Sequence, residues 1–127
     1  MGAAGFAAVG IGAMLGAWAR WGLSVALNAI VPNLPLGTLA SNLIGGFLIG
    51  VALEFFLQHV LLPAEWRLSV ITGFLGGLTT FSTFSAEAVT LLAQHHYGWA
   101  MVLIGSHLAG SIAMTVLGLY TMRWLAA

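Results

Sequence analysis

Residues 79–90 read TTFSTFSAEAVT and set two kinds of side chain beside each other. Thr80, Thr83, Glu87 and Thr90 recur at three- and four-residue spacing, which puts three hydroxyls and a carboxylate on one helix face. Phe81 and Phe84 form an adjacent aromatic pair at i, i+3. A phenyl ring is positive at its edge and negative on its faces, so rings turned edge-on attract an anion without a full counter-charge. That weakness matters in a conduction path, because an ion must leave each site as readily as it enters. Ordinary packing of two phenylalanines in a membrane helix is the competing reading of the same pair.

Just before this segment stand Gly73, Gly76 and Gly77, followed by Thr79 and Thr80. Each glycine weakens a helix by about 1 kcal/mol and threonine is also a poor helix former, so a break is expected here. At membrane depth, backbone carbonyls freed by a break need protein, water or an ion, and broken helices of this kind hold sodium. A glycine-rich packing face on an intact helix is the alternative.

Polar groups interrupt the other apolar segments too. Thr38, Ser41, Asn42, Gly45, Gly46 and Ile49 share one face, and the Asn42 amide both donates and accepts hydrogen bonds. Gly12, Gly16, Arg20, Ser24 and Asn28 recur every four residues, a small-residue stripe suited to close helix approach. Arg20 is either an anchoring cation or an attractor of anions. His107, Ser111, Thr115, Gly118 and Thr121 form a weaker stripe that reads as polar packing. His95, His96 and His107 lack the carboxylate partners and spacing of a metal site.

These stripes need elements to carry them. VPNLP at 31–35, QHVLLPAEWR at 58–67 and QHHYG at 94–98 divide the chain. Pro63 and Glu65 suit a helix start and Gly98 a helix C-cap. Helices are therefore expected at about 3–30, 35–58, 64–95 and 98–125, forming a single four-helix transmembrane domain over residues 1–127. Glu54, near the end of the second helix, is expected at the membrane interface.

Composition agrees. Charged residues are 5% of the 127, against about 25% in soluble domains. Hydrophobic residues are 61% and mean hydropathy is +1.05, which points to an all-α protein of the lipid bilayer. The apolar runs are continuous rather than alternating, against a β-barrel. Nucleic acid is excluded as a partner, because three arginines and no lysine cannot track a phosphate backbone. With no cysteine there is no thiol chemistry, and no nucleophile–base pair suggests an enzyme. The first helix carries Arg20 and no acid, which argues against a proton-coupled exporter of similar size. Arg67 and Arg123 share one side and Arg20 lies toward the other, a bias weak enough for insertion in both orientations.

GAWARW at 16–21, GTLASNLIGG at 37–46 and GFLGGLTTFSTFSAE at 73–87 resemble the signatures of the Fluc (CrcB) fluoride channels, and the likeness covers the whole chain. The resemblance implies an antiparallel, dual-topology homodimer in the inner (plasma) membrane, with the third helix broken at mid-membrane. It implies two pores for passive fluoride export and a structural Na+ at the dimer centre, held by the carbonyls of Gly76 and Thr79 of both subunits. Phe81, Phe84 and Asn42 match the pore residues, and Thr38, Ser82, Thr83 and Ser111 match parts of the polar track and vestibule.

Overall fold

A computed structural model describes residues 2–127. It is helical, in the order α1 (Ala3–Leu27), α2 (Leu36–Gln58), α3 (Ala64–Arg67), a π-helical stretch Leu68–Leu75, α4 (Gly76–Leu78), α5 (Phe81–Ala93) and α6 (Tyr97–Ala126). Four helical segments are long and apolar enough to cross a membrane: Ala3–Leu27, Leu36–Gln58, Ala64–Ala93 and Tyr97–Ala126.

The expected boundaries need small corrections. α1 stops at Leu27, and Asn28 leaves the small-residue stripe to serve α2. Its Oδ1 accepts from the backbone N–H of Gly37 (2.8 Å) and Thr38 (3.2 Å), supplying the cap that Pro35 at the N-cap position lacks. Gly98 does not end the third span. It lies inside α6, and His95 takes the left-handed position instead, with φ 61°. His96 N–H reaches Leu91 O at 2.9 Å and His95 N–H reaches Leu92 O at 3.1 Å, the paired bonds of a Schellman closure. Glu54 is buried within the protomer, 3.1 Å from Arg123 Nε and 3.2 Å from Gln58 Nε2, because α6 brings a cation to the end of α2.

The third span is interrupted, as its glycines and threonines predict. Thr79 (φ −88°, ψ 155°) and Thr80 (φ −150°, ψ 116°) are extended between α4 and α5. Packing is organised around the two sides of this break. Before it, α1 lies against the π-helical stretch and α4. A Cβ at Gly12 or Gly16 would overlap backbone atoms of Ser69 and Phe74, so these small residues permit backbone-to-backbone approach. Beyond the break, α5 packs on α6 through Phe84, Ala88 and Leu91 against Ala100 and Leu103. α2 lies along α6, where a Cβ at Gly50 would overlap the Thr115 carbonyl. Ala52, Phe56, Leu75 and Leu78 form a second apolar cluster. Polar Thr38, Ser41 and His107 are buried as well.

Candidate functional site

The break sets the geometry of the site. In a continuous helix the N–H of Thr80 would reach Gly76 O, that of Phe81 would reach Gly77 O, and that of Thr83 would reach Thr79 O. Thr80 N–H instead donates to Asn42 Oδ1 at 2.8 Å, and Asn42 Nδ2 donates back to Thr80 O at 3.0 Å. Asn42 thus pairs with the extended residue as a neighbouring strand would, satisfying both of its backbone groups. Thr83 N–H turns to Thr80 Oγ1 at 3.1 Å, which makes Thr80 the N-cap of α5. Gly77 O accepts from Arg20 Nε at 3.0 Å. Gly76 and Thr79 are the carbonyls whose usual donors have been diverted to side chains. Gly76 is exposed and Thr79 half-buried on the protomer surface.

Phe81 and Phe84 start α5 directly after this turn. Their ring centroids are 5.4 Å apart at 65°, an edge-to-face arrangement. Their environments differ sharply: Phe84 is 7% exposed and Phe81 is 74% exposed. A cavity of about 400 Å³ opens beside them, and Asn42, Gly76, Thr79, Phe81, Phe84 and Ser111 all line it. Six of the nine site residues that the resemblance implies therefore meet at one place.

The other three lie elsewhere. Ser82 is exposed, 3.4 Å from Thr80 Oγ1. Thr83 lies 3.0 Å from Thr80 Oγ1 and lines a second cavity of about 320 Å³ with Glu87 and Thr90, against the loop before α2. Thr38 does not reach that cavity; its hydroxyl donates to Glu87 Oε2 at 2.6 Å and joins α2 to α5. Thr90 spends its hydroxyl on Ala86 O of its own helix. The hydroxyl row expected from spacing is thus a chain of contacts to different partners.

Two residues have more to do here than their sequence pattern indicated. Arg20 is tied to the broken helix rather than snorkelling freely. His107, read as polar packing, is 3% exposed, lines the cavity with Asn42, and places Nδ1 3.0 Å from Asn42 Nδ2. A histidine within an apolar span was the available signal, but the partner that fixes it sits 65 residues away.

The family model described as CrcB-like protein, Camphor Resistance (CrcB), matches residues 7–119. Among curated relatives, the fluoride-specific ion channel FluC of Cupriavidus pinatubonensis is 63% identical over 126 residues, covering 99% of this chain and 100% of that one. The protein of the same name from Nitrosospira multiformis is 60% identical, over 99% of this chain and 98% of its own. That from Burkholderia cenocepacia is 60% identical over 94% of both chains. With a family model matched over residues 7–119 and relatives 60–63% identical over 99% of it, the chain belongs to the CrcB family.

Proposed function

We propose that the chain is a fluoride channel, working as an antiparallel homodimer in the inner membrane and releasing fluoride passively from the cytoplasm. The single observation that carries this reading is the Asn42-stapled break, which brings the Phe81–Phe84 edge pair and the cavity together. Fluoride at membrane depth faces a large desolvation penalty. Ring edges and hydroxyls replace parts of its water shell without the tight grip of a fixed cation. Fluoride that enters cells as HF and dissociates there would leave by this route.

Assembly with a second copy is supported by what one protomer leaves open. Phe81 is 74% exposed and Gly76 is exposed beside the break. Backbone carbonyls facing lipid are costly, so a protein surface or an ion has to meet them. Two copies in opposite orientation, consistent with the sparse arginines, would bring two breaks together and place Phe81 of one subunit in a pore with Phe84 of the other.

The residues present fit a structural sodium. Gly76 and Thr79 offer hard carbonyl oxygens whose usual donors are engaged by Asn42 and Thr80, and two subunits would provide four such oxygens. When bound, the ion would supply positive potential near the pores. This chain's own part is to hold the carbonyls apart from helical bonding and to balance Gly77 O with Arg20.

Passive efflux from liposomes containing the purified protein tests the function. Fluoride should leave far faster than chloride, and equal rates would sink the reading. Cysteines introduced at a terminus should be labelled from both sides of intact cells, whereas labelling from one side alone would remove the antiparallel dimer.

A further inference from the structure

The hydrogen bonds around the break fix more than the backbone. Thr80 presents a donor and an acceptor to Asn42, at 2.8 Å and 3.0 Å. Only one orientation of the amide meets both, because the flipped amide would oppose donor to donor and acceptor to acceptor. Asn42 Nδ2 is therefore the nitrogen that faces His107 Nδ1 at 3.0 Å. Since the amide nitrogen only donates, Nδ1 must be the accepting, unprotonated nitrogen of a neutral imidazole. The ring proton then sits on Nε2.

That Nε2–H is buried and has no hydrogen-bond partner among the described residues. Phe84 does not absorb it through its ring face. The two rings lie 4.7 Å apart at only 34°, whereas an in-plane N–H aimed at an aromatic face needs rings nearer perpendicular. His107 itself is 3% exposed and belongs to the wall of the cavity that holds Asn42, Phe81, Phe84 and Ser111. A fixed, neutral N–H donor left unpaired beside such a cavity calls for an acceptor from outside this protomer.

We infer that His107 is an anion-binding residue of the conduction path: Asn42 locks its tautomer so that Nε2–H donates to the passing fluoride. This rests on the fluoride-channel reading. It gives the cavity a directed donor that carries no net charge, in keeping with weak binding and fast release. It also assigns Asn42 a second duty, since both of its amide hydrogens are already engaged by Thr80 O and His107 Nδ1.

Three substitutions separate a donor from a strut. In His107→Gln the side-chain amide replaces Nε2–H but not the Nδ1 acceptor. In His107→Asn the shorter side chain offers an acceptor near Nδ1 but no donor at Nε2. His107→Leu removes both. In liposomes, fluoride efflux through the Leu and Asn variants should fall by about tenfold or more, while Gln stays within about threefold of wild type. Rescue by Asn and not by Gln would make His107 a positioning residue for Asn42 and overturn the inference, as would normal efflux through Leu. If neither variant rescues, nitrogen NMR of histidine-labelled wild-type protein decides, with His107→Leu identifying the resonance. Fluoride must shift the protonated Nε2 signal for the inference to stand, and an unmoved signal overturns it. Wild-type protein that passes no fluoride overturns the channel reading itself, a result distinct from every variant outcome.

Discussion

The two halves of the third span meet the same requirement, crossing an apolar medium with their backbone satisfied, by opposite means. The half before the break is π-helical over Leu68–Leu75, has no side-chain cap, and lies with its backbone against the backbone of α1. The half after it is a regular helix, N-capped by Thr80 and closed by a Schellman turn, and it packs through side chains on α6. The first half is held against its neighbour's backbone, whereas the second is capped by its own sequence. π-Helical segments are rare and concentrate at functional sites, and this one leads directly into Gly76 and the break. The proposed conduction site lies where these two constructions fail to join.

The most damaging way to break this arrangement is to remove the staple between them. Asn42→Asp keeps an acceptor for Thr80 N–H but loses both donated bonds, to Thr80 O and His107 Nδ1. Leaving those acceptors unpaired should destabilise the fold by about 2–4 kcal/mol, and an added negative charge should repel the anion. A lower melting point of the purified protein together with lost fluoride efflux checks both parts. Unchanged melting would mean that the break is maintained without Asn42.

Next in size is the backbone contact of the first half. Gly16→Val would drive a side chain into the Phe74 carbonyl, and over-packing of this kind should cost about 1–3 kcal/mol. Gly10→Ala, on the same helix but with nothing within 4 Å of the added carbon, should be neutral or stabilising by about 0.5–1 kcal/mol. Thermal denaturation of the two variants side by side measures the contrast, and equal effects would show that α1 does not shape the π-helical stretch.

A smaller effect is expected at the self-specified half. Thr80→Ala removes the hydroxyl that accepts from Thr83 N–H and should cost about 1 kcal/mol, whereas Thr80→Ser should retain the cap. Melting curves that do not distinguish Ala from Ser would show that the cap adds nothing to α5.

Legibility in the sequence follows the same division. The four spans, the break and the Phe81–Phe84 pair are all local patterns: apolar length, weak helix formers in a row, and i, i+3 spacing. The close approach of α1 was legible in Gly12 and Gly16, because a small-residue stripe has few other uses in a membrane. The π-helical form of Leu68–Leu75 was not, since no local pattern of residue types marks it. Nor were the bonds of Asn42 to Thr80 and His107, which join residues 38 and 65 positions apart. Spacing placed Thr80, Thr83, Glu87 and Thr90 on one face but could not say that Thr38 would claim Glu87 or that Thr90 would bond its own helix. His95 in the left-handed position was hidden by Gly98, a residue better suited to it in isolation but three places too late for a closure onto Leu91.

The smallest expected effect on folding is the most informative about function. Phe81 is 74% exposed on the protomer, so Phe81→Ile removes little packing within one chain; Phe84 is 7% exposed and its loss is felt in the α5–α6 core. If the rings only packed, stability and efflux would change together, with Phe84→Ile the worse and Phe81→Ile nearly silent, each at a cost under about 1.5 kcal/mol. If their edges carry fluoride, Phe81→Ile should lower efflux by about tenfold, the rate equivalent of roughly 1.4 kcal/mol on the barrier, while the protein melts as wild type does. The exposed ring is thus the cleaner probe, because its effect on transport is separated from its effect on the fold of one protomer. Efflux from liposomes measured beside gel filtration and thermal melting separates the two. A Phe81→Ile protein that transports fluoride at the wild-type rate would move the path off the face of the third span that follows the break.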